Sequence, residues 1–223
     1  MTTGFTFYDE AIILLFAIAL IFWIGLVFYS CFISQSVLKN LNESDTSKYL
    51  INIQPKVMWY MRWTALISFI VAIYILSLIS DIPSAYNIGT SLASLIITFM
   101  FLNTWLIIWR KQKRIISRTT DAKKCEERYD HAIRVNAIFA FPLIGLIIYS
   151  AQAKEVINPL LELDGSLGPG WSSFILWGSI LIILLIQANL VFGKKPGWLN
   201  KSKNVLILGI VLILLIGLLL RNS

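Results

Sequence analysis

Six long apolar runs, separated by short segments that alternate between basic and acidic, leave this chain few ways to fold. The runs are Ala11 to Ile33, Trp59 to Ser80, Ile88 to Trp109, Ile133 to Ala151, Trp171 to Phe192 and Val205 to Leu220. A helix of about 20 residues rises about 30 Å, enough to cross the hydrocarbon core of a bilayer. Water is absent there, so each run is expected to be a helix that satisfies its own backbone groups. The sequence predicts an all-α fold, a polytopic membrane bundle of six transmembrane helices. The last run is the shortest, and Asn204 or Arg221 would have to snorkel toward the headgroups.

Charge supplies the orientation. Seventeen of the nineteen Lys and Arg residues fall in three segments. The first holds Lys39, Lys48, Lys56 and Arg62, the second runs from Arg110 to Arg134, and the third holds Lys194, Lys195, Lys201 and Lys203. Those seventeen cations stand against six acids, net +11, whereas Lys154 and Arg221 on the other side stand against six acids, net −4. Cytoplasmic loops are the basic ones, so six spans put both termini outside. Basic loops facing anionic lipid explain the net charge of +7 without any nucleic acid. Asp9 and Glu10 precede the first run where a secretory signal would carry cations, so this run is expected to remain as a span. Abundant Ile, Lys and Asn point to a prokaryote, and hence to a multi-pass protein of its cytoplasmic membrane.

Spans one to four carry tryptophans, small residues and polar residues; spans five and six are plainer. The acidic stretch Gln152 to Gly170, with Pro159, Gly165, Gly168 and Pro169, reads as an outer linker. It divides a four-helix core, residues 1–151, from a two-helix C-terminal extension, residues 152–223. Between spans three and four, Lys123, Lys124, Glu126, Glu127, Arg128 and Asp130 alternate in sign at helical spacing, as on a charged helical hairpin.

The inventory of reactive groups is thin. His131 is the single histidine and sits outside the spans, so a bis-histidine haem within this chain is impossible. Histidine-based zinc and copper sites are excluded for the same reason. Cys31 and Cys125 lack CxxC spacing and read as structural thiols. There is no nucleophile elbow, phosphate-binding glycine loop or HExxH. No cofactor is expected. The remaining leads are polar residues at membrane depth, which are costly there and mark either helix–helix glue or a site. Trp59, Arg62 and Trp63 share a helix face, on which the guanidinium is expected to stack between two indoles, bind a lipid phosphate or hold an anionic ligand. Span three offers Asn103 and Thr104, then a stripe of Trp105, Trp109, Gln112 and Lys113 leading out of the bilayer. Span four opens with Arg134 and Asn136 and contains Pro142, expected to kink it. Gln187 and Asn189 in span five are read as glue.

Four of these segments carry a resemblance. The run Phe22-Trp23-Ile24-Gly25-Leu26-Val27-Phe28-Tyr29, then Trp59-Tyr60-Met61-Arg62-Trp63, then Asn103-Thr104-Trp105 through Lys113, and finally Arg134-Val135-Asn136 with Phe141-Pro142-Leu143 occur in that order over residues 16–151. Together they resemble the urate oxidase N-terminal membrane domain, found in cytochrome c-linked urate hydroxylases and in shorter forms. Departures matter as much. Where the family has a histidine seven residues before the first-span tryptophan, this chain has Phe16. Arg110 replaces a proline, Val135 stands where a histidine is often found, and no CxxCH follows. The resemblance therefore implies a redox-family membrane fold without its haem histidines, and urate oxidation by this chain alone is not expected.

Three functions stay open on the sequence. The first is a non-catalytic accessory or scaffold subunit, docked on other membrane subunits or on a second copy of itself. The second is a binding or transport module for a small anion, a quinone or a lipid, using Arg62, Trp63, Asn103, Trp109, Gln112, Lys113, Arg134 and Asn136. The third is an oxidoreductase whose cofactor a partner chain supplies.

Overall fold

A computed structural model describes residues 7–78, 84–117, 122–160, 169–193 and 195–221. Its elements are all helical, and no strand occurs among the described residues. In chain order they are α1 (Phe7–Phe28), a π-helical turn (Tyr29–Ser34), α2 (Gln35–Asn40), α3 (Glu43–Asn52), α4 (Gln54–Leu78) and α5 (Ser84–Leu102). A second π-helical turn (Asn103–Ile108), α6 (Trp109–Ile116), α7 (Ala122–Leu160), α8 (Pro169–Phe192), a 3-10 turn (Gly197–Asn200) and α9 (Ser202–Arg221) follow.

Among the described residues, four stretches are long and apolar enough to cross a membrane: Glu10–Leu38, Glu43–Ser77, Gly89–Ile116 and Lys124–Ile148, with 29, 35, 28 and 25 residues. Their outward faces carry large apolar side chains in mid-helix, among them Ile18, Ile21, Ile70 and Ile73. A soluble helix turns such residues inward and its polar ones outward. The apolar stretches Trp177–Phe192 and Ser202–Leu215 are shorter. The expected outer linker is only partly one. α7 continues as helix to Leu160, and α8 begins at Pro169; residues 161–168 of the linker lie outside the described residues. The reason is local, since Ala151, Gln152, Ala153, Lys154 and Glu155 are strong helix formers. α7 also runs through Pro142 uninterrupted.

The chain forms two compact units. Unit 1 comprises Met1–Ile75 and Met100–Ile133; unit 2 comprises Leu76–Phe99 and Arg134–Ser223. Within unit 1, α3 starts at an N-cap: the Asp45 N–H donates to Asn42 Oδ1 at 2.8 Å, with Glu43 and Asp45 in the first turn. Ile53 ends it, and Pro55 follows in the first turn of α4, where a missing N–H does no harm. α3 is held down by Tyr49, whose hydroxyl donates to Ser34 Oγ at 2.9 Å and lies 3.0 Å from the Tyr29 hydroxyl. Gln54 Nε2 donates to the Tyr129 hydroxyl at 2.7 Å, and Gln35 bonds Asp130. Unit 2 is closed by apolar packing. Phe139, Ile138, Leu143, Leu146, Ile96 and Ile97 are all at most 1% exposed. Gly209 of α9 lies so close to α7 that a Cβ there would stand 2.2 Å from Phe141 Cδ2.

Candidate functional site

The candidate site is built on the third apolar helix of unit 1, and its geometry follows from a change of helical pitch. In a regular α-helix, residues four apart advance about 40° around the axis, so a stripe at that spacing drifts off its face. A π-turn holds more residues per turn and takes up the drift. Between Asn103 and Ile108 the backbone does this, and the Trp109 N–H bonds the Thr104 carbonyl five residues back. Two stripes spaced by four residues stay straight as a result. Met100, Thr104, Ile108 and Gln112 are at most 3% exposed and form the buried stripe. Phe101, Trp105, Trp109 and Lys113 form the adjacent one.

The second stripe is a ladder of rings and cations. Phe69 of α4 stacks on Phe101 with centroids 4.4 Å apart and planes within 4°. Phe101 meets Trp105 at 5.9 Å, and Trp105 meets Trp109 at 6.3 Å. Arg62 of α4 inserts here, its Cζ 4.3 Å from the Trp105 centroid and 3.7 Å from that of Trp109. The Lys113 Nζ lies 4.1 Å from the same Trp109 ring. Trp105 Nε1 donates to the Arg62 carbonyl at 3.3 Å, which ties the two helices together from the opposite direction. Each cation–π contact contributes about 0.5–1 kcal/mol when exposed and roughly 2 when desolvated. Both cations lie on Trp109, so they are at most about 8 Å apart, where even water-like screening leaves a repulsion of roughly 0.5 kcal/mol.

The buried stripe ends in Gln112. It is 3% exposed, and among the described residues neither its Nε2 nor its Oε1 has a hydrogen-bond partner. Unit 1 holds further buried polar atoms without a protein partner: Gln54 Oε1, Ser68 Oγ, Trp23 Nε1 and Arg62 Nε. A buried unpaired polar group costs about 1–3 kcal/mol, so a fold that keeps several on one unit invites a reason.

Several expected site residues fall elsewhere. Trp63 is 42% exposed and packs against Trp59 at 6.2 Å, so the indoles around Arg62 come from the third apolar helix and not from its own helix. Helical spacing showed that Trp59 and Trp63 flank Arg62; only packing shows which way a long side chain leans. Gln112 leaves the stripe of Trp105, Trp109 and Lys113 because it belongs to the neighbouring buried face. Asn103 is buried at 1% and Asn136 at 0%, and neither lacks a partner. Arg134, in unit 2, donates from Nη1 to the Leu199 carbonyl at 2.7 Å and so holds the turn that leads into α9. Asn189 is exposed in the last turn of α8, where its carbonyl accepts from the Gly193 N–H at 2.8 Å. Cys31 and Cys125 are buried, and neither is in a disulfide. No group of three or more His, Cys, Asp or Glu that could hold a metal occurs among the described residues.

Sequence reasoning missed both π-turns and the tyrosine layer under α3. A signal was present. Met100, Thr104, Ile108 and Gln112 repeat at four residues, and all are at most 3% exposed. Spacing held at four over three steps on one narrow face fits an under-wound turn better than a regular α-helix.

The fold and site together define an all-helical protein with, among the described residues, four helices long and apolar enough to cross a membrane, and a polar interior in one unit. No family model, curated protein or solved structure matches this chain.

Proposed function

We propose that the chain is a six-span protein of a prokaryotic cytoplasmic membrane, with both termini outside, that binds a small polar ligand in unit 1. The observation that carries this reading is Gln112, buried with both ends of its amide unpartnered by protein. A buried amide left unpaired costs about 1–3 kcal/mol, and a ligand that pairs it offsets that cost. The π-turn that aims Gln112 inward belongs to a class of helical irregularity enriched at functional sites. Six spans are supported by the lengths of α8 and α9, 24 and 20 residues, each able to rise about 30 Å or more. The charge asymmetry supports the orientation.

The accessory-subunit reading keeps one observation in its favour. Of the residues that carry the resemblance to the urate oxidase N-terminal domain, Trp23, Val27, Met61, Thr104 and Asn136 are all 0% exposed. A signature made of packing residues preserves a scaffold whether or not the chemistry survives.

Two measurements separate these readings. Protein extracted in mild detergent, with visible absorption and mass spectrometry of what accompanies it, is expected to carry a small molecule that Gln112→Leu loses. If Gln112→Leu only raises the unfolding temperature, the amide was an uncompensated burial and the binding reading fails. Fixed partner subunits without a small molecule would move the assignment to the accessory role. For topology, an impermeant thiol reagent applied from outside is expected to label Lys154→Cys and spare Lys56→Cys; the reverse pattern inverts the orientation.

A further inference from the structure

We propose that Arg62 and Lys113, gathered on the Trp109 indole, form a binding site for a phosphate group. The guanidinium lies over two rings, 4.3 Å from the Trp105 centroid and 3.7 Å from that of Trp109. Stacking uses the faces of a guanidinium and leaves its in-plane N–H donors for other work. Among the described residues no hydrogen bond or ion pair meets them, and Arg62 Nε is buried without a partner. Lys113, whose Nζ is 4.1 Å from the Trp109 centroid, is exposed at the open end of the ladder.

Two uncompensated cations held on one ring select an anion, and the fork narrows its chemistry. A planar guanidinium recognises a group that presents two oxygens side by side, and a nearby ammonium adds a point charge to a third. A phosphate meets all three requirements, whereas a carboxylate has no third oxygen for the lysine. The Trp105 Nε1 bond to the Arg62 carbonyl and the Phe101–Trp105–Trp109 contacts fix the rings, so the site is formed before anything binds. Lipid headgroups and soluble phosphate compounds both offer this group. The inference does not depend on a ligand at Gln112.

The test uses the full-length protein in neutral detergent and phosphate-free buffer. Retention of phosphatidylglycerol is read by native mass spectrometry, and inorganic phosphate is followed by tryptophan fluorescence. Wild type is expected to retain the lipid, with binding roughly tenfold weaker in Arg62→Gln and in Lys113→Gln, which each remove one charge–phosphate contact. Arg62→Lys, which keeps the charge and loses the fork, is expected to fall between wild type and Arg62→Gln. Lys56→Gln, at another exposed inner-segment cation, is expected to bind as wild type. If millimolar inorganic phosphate shifts the fluorescence and displaces the lipid, the natural ligand is a soluble phosphate compound. If it does neither, the ligand is a headgroup; both results keep the site. Because Lys113 is exposed, Lys113→Gln reports even if Arg62→Gln fails to fold. The proposal is overturned if wild type holds neither probe, or if Lys113→Gln binds both as tightly as wild type.

Discussion

Unit 1 and unit 2 bury their helices by different means. Unit 1 places Ser30, Ser34, Gln54, Ser68, Asn103, Thr104, Gln112 and His131 in its interior, and both π-turns lie within it. Unit 2 buries mainly Ile96, Ile97, Ile138, Phe139, Leu143 and Leu146, with Ser94, Asn136 and Ser179 among them, and brings a glycine of α9 against Phe141. Its buried charge, Arg134, is committed to a backbone carbonyl. One unit accepts irregular helices to aim polar groups; the other uses regular helices to pack apolar ones. Polar groups need particular directions to be useful, whereas apolar groups need only volume and proximity.

The strongest way to break this contrast is to add one residue just beyond the second π-turn. Inserting an alanine after Arg110 is expected to turn everything beyond it by about 100°. Gln112 then leaves its buried stripe and Lys113 leaves Trp109, and the phosphate response is lost. An unchanged phosphate response in that variant would show that the helix register does not aim the ladder. Next in size, Gly209→Val forces a side chain into the ring of Phe141 and is expected to destabilise unit 2 by about 1–3 kcal/mol, read as a lower unfolding temperature in detergent. No loss would mean that α9 does not pack as tightly as its glycine indicates.

Smaller effects sharpen the other side of the comparison. Tyr49→Phe removes the hydroxyl that meets both Ser34 and Tyr29, and is expected to lower stability by roughly 1–2 kcal/mol. A neutral result would make the hydrogen-bonded layer under α3 incidental to unit 1. The exposed pair of Lys48 and Asp45, 3.2 Å apart, is expected to contribute less than about 0.5 kcal/mol, so Lys48→Ala should leave the unfolding temperature unchanged.

Hydrophobic patterning alone determined the helical class and the position of the first four apolar helices, because a run of apolar residues long enough to cross a bilayer has no other good backbone solution. The same patterning placed Asn103, Trp109, Gln112 and Lys113 on one helix and Arg62 on another. It did not reveal which rings Arg62 would choose. A long flexible side chain beside Trp59 and Trp63 in sequence ends on Trp105 and Trp109 in space, and that choice is made by the distance between two helices. Nor did local spacing separate Gln112 from Lys113. They are adjacent in the chain, yet one is 3% exposed and the other is open, because a π-turn several residues earlier sets the register of both. Secondary structure in such a chain answers to local hydrophobicity and backbone hydrogen bonding, which the sequence carries residue by residue. The direction in which a polar side chain points answers to helix pitch and to neighbours distant in the chain, and only the tertiary structure decides it.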